Sequence, residues 1–233
     1  MRKNKILFSI SFFCLVISLL LTIIDVNCFD QSFYQKEYIQ NNTSIETGMS
    51  EEDLWDTTEV LFDYLHDSRD DLNVQHEVNG NVREIFDSRE KAHMVDVKNL
   101  YLNTIKVRNV LVIIGCLLFV ISCLITKKQL ITNMYVGYKR SVAILFSIIL
   151  AILIYAAIDF NSFWIQFHYL FFTNDLFFLD PNTEILINMV PETFFFDLVI
   201  RIIFMFISSV IVIFVILYYL NKKRNSNDQR CVI

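Results

Sequence analysis

The chain has 233 residues, of which 55% are hydrophobic and 15% aromatic, with a mean hydropathy of +0.46. Four Gly and two Pro exclude collagen-like and Gly-linker architectures, and the net charge of −5 argues against nucleic acid as a partner. Five Cys is an odd number, and three of them lie in apolar runs, so a disulfide framework is not expected.

Four charge-free runs follow one another along the chain: Ile6–Ile24, Asn109–Thr126, Ser141–Ile158 and Ile202–Asn221. A hydrocarbon core of roughly 30 Å needs about 20 helical residues, so each run predicts a transmembrane helix. The exit of the first run, Ile24-Asp25-Val26-Asn27-Cys28, has neither a small-residue cleavage pattern nor a lipobox, so it reads as a retained span. Basic residues before span one, between spans two and three, and after span four number eleven against one acid. The segments Asp25–Arg108 and Asp159–Ile200 carry twenty-four acids and eight bases. Positive-inside bias then predicts both termini in the cytoplasm and both larger loops outside.

The expected layout is an α-helical membrane protein with four transmembrane helices and a mixed α/β extracytoplasmic cap. In order, it is transmembrane helix 1 over 1–27, the cap over 28–108, transmembrane helix 2 over 109–126, a cytoplasmic loop over 127–140 and transmembrane helix 3 over 141–158. An aromatic outer-leaflet loop over 159–200, transmembrane helix 4 over 201–221 and a cytoplasmic tail over 222–233 complete it.

Within the cap, Ser50-Glu51-Glu52-Asp53 predicts a helix start, and Leu54, Leu61 and Leu65 give that helix an apolar stripe. Leu72, Val74 and Val78 face Val82 and Phe86 across Asn79-Gly80, a two-residue hairpin signal. Asp87-Ser88-Arg89-Glu90 resembles a capping box and opens a helix towards span two. The second loop holds twelve aromatic residues, among them Phe163, Trp164, Phe167, Tyr169, Phe171, Phe172, Phe177 and Phe178. Asp180-Pro181 and Val190-Pro191-Glu192 read as two further helix starts, giving short helices half-sunk at the outer leaflet around an aromatic pocket.

All four histidines (66, 76, 93, 168) fall in these two loops. His66 and His76, among acids, suit solvated or structural roles. On a helix Glu90, His93 and Asp96 share a face, so either acid can orient the His93 imidazole. His168 stands in Phe167-His168-Tyr169-Leu170-Phe171-Phe172, where a polar ring needs a partner or a task. No G-x-S-x-G elbow, H-E-x-x-H zinc motif or Gly-rich phosphate loop occurs. Cys28 can in principle serve a Cys–His mechanism but reads better as a small interfacial residue.

The stretches EKAHMVDVKNLY (Glu90–Tyr101) and FHYLFFTNDLFFLDPNTEILINMVPETFF (Phe167–Phe195) resemble the paired signatures of the bacterial lipoprotein intramolecular transacylase (Lit) family. The resemblance implies four spans with an extracytoplasmic cap, in a bacterial cell membrane. It also implies transfer of the sn-2 acyl chain of a diacylglyceryl lipoprotein to the α-amine of its N-terminal Cys, leaving a lyso-form lipoprotein. It assigns the catalytic pair to His93 and His168. Asp96, Asn174, Asp175, Asp180 and Glu192 fall within the motifs as orienting or structural groups; Trp164, Phe167, Phe171 and Phe172 of the ring-rich loop read as the pocket walls. It implies no cofactor, and a monomer surrounded by membrane lipid suffices.

Two other classes compete. One is a metal-dependent membrane hydrolase ligating through His93, Asp96 and His168; the other is a non-enzymatic sensor with an acidic cap. Every catalytic reading requires His93 and His168 to meet. A straight helix from Asn109 back to His93 lifts the ring by about 24 Å at roughly 1.5 Å per residue, so a bent, flat or dipping helix is expected.

Overall fold

A computed structural model describes residues 2–126 and 129–230, with side chains from 4–126 and 129–226. Its elements are α1 (Arg2–Cys28), α2 (Gln31–Gln40), α3 (Thr43–Thr47), α4 (Glu51–Leu65), β1 (Gln75–Val78), β2 (Asn81–Glu84), α5 (Ser88–Ile125), α6 (Leu130–Ile158), α7 (Phe160–Phe171), α8 (Leu186–Met189) and α9 (Glu192–Arg230). Among the described residues, four helices are long and apolar enough to cross a membrane: Asn4–Cys28, Ser88–Ile125, Leu130–Ile158 and Glu192–Ser226. Each outruns its charge-free window. Polar residues add a turn or more at the ends, where the helix leaves hydrocarbon and charge costs little. The segment 127–140, read as a loop, is helical from Leu130 onward.

The chain divides into two compact units. The first comprises the described residues of Met1–Asp25, Lys106–Tyr155 and Arg201–Ile233. Its core gathers Phe8, Phe12, Tyr138, Leu145 and Phe206, with Phe119 packed edge-on against Phe8 and Phe12. Hydroxyls bond across helices, as hydrocarbon demands: Ser11 Oγ to the Gly115 carbonyl at 2.9 Å, Ser141 Oγ to the Ser9 carbonyl at 2.6 Å and Tyr138 Oη to the Val210 carbonyl at 2.8 Å. Gly115 and Gly137 let α1 approach closely; a Cβ on Gly137 would stand 2.6 Å from Phe8 Cβ. Arg108 and Asp25 pair at 2.5 Å. Exposed Phe204, Leu124 and Tyr219 make sense against lipid, where apolar exposure has no cost.

The second unit comprises Val26–Ile105 and Ala156–Ile200. Its core is formed by Tyr38, Leu54, Leu61, Tyr64, Leu72, Phe86, Met94, Leu186 and Met189, among others. Ser50 caps α4 by accepting the Asp53 amide at 3.0 Å, and Leu54, Thr57, Thr58, Leu61 and Tyr64 bury one face. The hairpin turns through Asn79 (φ 51°) and Gly80 (φ 82°), the paired positive φ of a type I′ turn. Its strands pair Gln75 with Glu84 and Val78 with Asn81. Val82 does not meet Val78, as the alternation had implied; it pairs with Glu77 and faces out, while Leu72 and Phe86 reach the core from beyond the strand ends. His76, expected among solvated acids, is held on both ring nitrogens, by Asp53 at 2.9 Å and Asp56 at 2.8 Å.

The aromatic loop is more ordered than its motifs suggest. Asp159 caps α7 by accepting the Ser162 amide at 3.0 Å and the Ser162 hydroxyl at 2.6 Å. Asp180-Pro181 does not open a helix. It makes one turn, closed by the Glu184 amide on the Asp180 carbonyl at 2.9 Å, and α8 begins only at Leu186. Val190-Pro191-Glu192 opens no short helix either: α9 runs on uninterrupted from Glu192 through span four.

Candidate active site

His93 comes from α5 and His168 from α7, both within the second unit and both buried. The capping box on α5 forms as read. Asp87 Oδ1 accepts the amides of Arg89 (2.7 Å) and Glu90 (2.8 Å), and Glu90 Oε2 accepts the Asp87 amide at 2.7 Å. Glu90 does not orient His93, because its other oxygen accepts the buried Leu186 amide at 2.6 Å. That bond ties α5 to α8 and positions the helix that carries His93.

The imidazole centroids lie 6.1 Å apart with ring planes 36° apart. α5 is continuous from Ser88 to Ile125, so the meeting requires no break in it; α7 brings His168 to the same place. His168 Nδ1 lies 2.7 Å from the Trp164 carbonyl one turn earlier. A carbonyl only accepts, so Nδ1 carries the proton and Nε2 is left with the lone pair. His93 Nδ1 is buried with no hydrogen-bond partner among the described residues.

Burial pushes the His93 imidazole down to about 4, helped by the neighbouring His168 and opposed by Asp96. Burial also lowers His168, opposed by its bond to the Trp164 carbonyl. Both rings are therefore neutral near pH 7, and His168 is the better placed to accept a proton.

Aromatic rings close on the pair. Trp164 meets His168 edge-on at 4.7 Å and stacks on Phe167 at 5.5 Å, while Phe172 touches His93 at 5.6 Å and His168 at 5.8 Å. Phe171, grouped with these walls on sequence, packs on Phe167 at 4.9 Å, is exposed and has no ring contact with either imidazole. Phe177, named among the loop's rings on sequence but not among the pocket walls, stacks on His168 at 4.6 Å with planes 23° apart. Neither of two cavities, about 210 Å³ among Val16, Val142 and Phe206 and about 290 Å³ among Tyr38, Leu54 and Trp55, is lined by His93 or His168.

Asn174 donates to Asp96 Oδ2 at 2.8 Å and ties the loop after α7 to α5. Asp175 is held twice, its carbonyl by Arg89 at 2.7 Å and its carboxylate by Tyr169 at 3.2 Å. Asp180 serves its own turn, accepting the Asn182 amide at 2.9 Å, and Glu192 accepts from Asn161 at 3.0 Å. Both have structural bonds and no contact with the imidazoles. Among the described residues no three His, Cys, Asp or Glu are grouped to hold a metal, and Asp96 Oδ2 is engaged by Asn174.

Four helices able to span and a buried imidazole pair, among the described residues, define a multi-pass membrane protein with two histidines brought together. The family model "Lipoprotein intramolecular transacylase Lit" matches residues 9–195. A solved structure of the membrane-integral lipoprotein intramolecular transacylase Lit from Bacillus cereus superposes with TM-score 0.74 at 21% identity, covering 97% of each chain. Structures of that protein with a single histidine replaced give TM-scores of 0.72 (arginine; 20% identity, 97% and 94% coverage) and 0.70 (alanine; 20% identity, 97% and 95%). A comparison with curated proteins finds no match. The chain belongs to the lipoprotein intramolecular transacylase Lit family, and it is a membrane acyltransferase.

Proposed function

We propose that the chain moves the sn-2 acyl chain of a diacylglyceryl lipoprotein onto the α-amine of the N-terminal Cys of that same molecule, with His93 and His168 as the catalytic pair. The observation that carries this reading is the convergence of two buried imidazoles, one with a defined free lone pair, within a ring of aromatic side chains.

Donor ester and acceptor amine belong to one substrate molecule, so no protein nucleophile is needed. Holding the two in register contributes much of the rate, since intramolecular systems reach about 7–11 kcal/mol. An α-ammonium group titrates near 8, so a modest base suffices. His168 Nε2 takes the ammonium proton, and the amine nitrogen attacks the ester carbonyl. His168 passes that first proton to water and takes the second from the nitrogen as the N–C bond forms, then gives it to the glyceryl oxygen as the C–O bond breaks, leaving a neutral amide. The neutral His93 ring offers an N–H to the developing oxyanion. Asp96, held by Asn174, sets the charge beside His93, and Asp175 anchors the loop. Trp164, Phe167 and Phe172 exclude the water that would hydrolyse the ester.

Both termini lie in the cytoplasm and the second unit outside, which rests on the positive-inside asymmetry. The chain acts as a monomer in membrane lipid, since one polypeptide supplies both imidazoles. The test is expression in a bacterium that makes only diacylglyceryl lipoproteins, read by mass spectrometry of the N-terminal lipopeptide. Wild type shifts it to the lyso form; His93→Ala and His168→Ala each abolish the shift while still accumulating in the membrane. Retained conversion in either variant removes that residue from the catalytic role.

A further inference from the structure

Among the described residues, only Phe177 lies stacked on His168, with centroids 4.6 Å apart and planes 23° apart; Trp164 and Phe167 meet the imidazole at 79° and 85°. Phe177 belongs to no helix, so its position depends on how the loop after α7 is fastened. Three bonds fasten it just upstream: Asn174 to Asp96 at 2.8 Å, Arg89 to the Asp175 carbonyl at 2.7 Å, and Tyr169 to the Asp175 carboxylate at 3.2 Å. The Leu176 amide donates back to Asn174 Oδ1 at 3.1 Å and shapes the turn. Phe178 at 4.4 Å and Tyr169 at 5.1 Å back the Phe177 ring. The loop is stitched to both helices that carry the histidines and delivers one ring onto one imidazole face.

We propose that Phe177 is a positioning residue for acyl transfer, which clamps the His168 ring face-on and supports the imidazolium formed when His168 takes the ammonium proton. The proposal rests on the reading of His168 as the base. His168 Nδ1 is pinned at its edge by the Trp164 carbonyl, which leaves rotation about χ2 and tilt of the plane to be restrained by a ring on its face. A positive imidazolium also gains from the negative face of an aromatic ring, a gain that leucine of similar bulk cannot supply.

The experiment uses the full chain in lipid-containing micelles with a synthetic diacylglyceryl lipopeptide, and follows kcat, KM and the pH–rate profile. Phe177→Leu is expected to lower kcat about tenfold with KM changed less than twofold. Loss of the aromatic face destabilises the imidazolium, so the acid limb should move about half a pH unit to lower pH. Phe177→Trp should keep kcat within about twofold and move the limb the other way, which carries the test if the leucine variant does not accumulate. An unchanged profile and kcat in Phe177→Leu, a loss confined to KM, or a Trp variant that mimics Leu would overturn the proposal. An inactive His168→Ala beside a wild-type Phe177→Leu sinks only the Phe177 role; an active His168→Ala sinks the base assignment beneath it.

Discussion

His93 and His168 face one another at 6.1 Å between centroids, and a charge on His168 disfavours a proton on His93. For His93, the folded-state value of about 4 lies below the ordinary 6.5, so the unfolded chain binds more protons between those values. Stability contributed by the neutral His93 is present above pH 6.5 and is lost as pH falls towards 4. The full loss is on the order of 3 kcal/mol. Thermal melting in detergent between pH 7 and 4 should fall more steeply for wild type than for His93→Gln. Parallel curves would show that burial of His93 does not govern acid sensitivity.

Asp96 and Asn174 bond side chain to side chain between α5 and the loop after α7, beside the bond from Arg89 to the Asp175 carbonyl. Charge-assisted bonds of this kind contribute about 1.5–3 kcal/mol. Asn174→Leu should therefore cost one to two orders of magnitude in transfer rate, by releasing the loop and freeing the carboxylate. Asp96→Asn keeps the shape, removes the charge that favours protonated His93, and should cost about tenfold or less. A lyso-lipopeptide assay that ranks the two variants in the opposite order would refute this division between geometry and charge.

What was legible in the sequence follows from which forces leave a periodic trace. Desolvation forbids charge inside hydrocarbon, so the four spans stand out. The capping box at Asp87 and the Asn79-Gly80 turn are local backbone chemistry and form as read. The short helices α2 and α3 leave no such trace. α2 buries Glu37 beside Phe33 and Tyr38, which breaks any apolar stripe. Its cap, Asp30, stands two residues past the end of α1. The histidines were found by motif rather than spacing, since their meeting depends on how α5 and α7 pack. Phe177 was one ring among many, because composition cannot distinguish a stacked ring from an exposed one such as Phe171. Glu90 was misread for a related reason: its helix face points towards His93, but the Leu186 amide, 96 residues on, competes for the carboxylate and wins.

The Glu90 carboxylate satisfies two backbone amides, those of Asp87 and Leu186, and burial raises its proton affinity. Glu90→Ala leaves both donors without an acceptor, at about 1–3 kcal/mol each. Glu90→Gln keeps one carbonyl acceptor and should recover roughly half of that loss. The expected signature is lower accumulation and an earlier melt, with the surviving folded fraction retaining normal kcat. A stable Glu90→Ala protein with depressed kcat would instead restore a direct role for Glu90 beside His93.

Gly137 tests the close packing of the first unit, away from any chemistry. A Cβ there would lie 2.6 Å from Phe8 Cβ and 2.9 Å from the Phe8 carbonyl carbon, and backbone cannot swing aside as a flexible side chain can. The adjacent bond from Ser141 to the Ser9 carbonyl, at 2.6 Å, depends on the same approach of α6 to α1. Gly137→Ala should force the helices apart, breaking that bond and loosening Phe12 on Tyr138, at a cost of about 1–3 kcal/mol. Gly115→Ala meets Leu15 side-chain atoms at 2.8 Å, which can rotate away, so its cost should be smaller. Detergent melting should rank wild type above Gly115→Ala and Gly115→Ala above Gly137→Ala. Equal stabilities for the two variants would mean that backbone contact does not set the α1–α6 spacing.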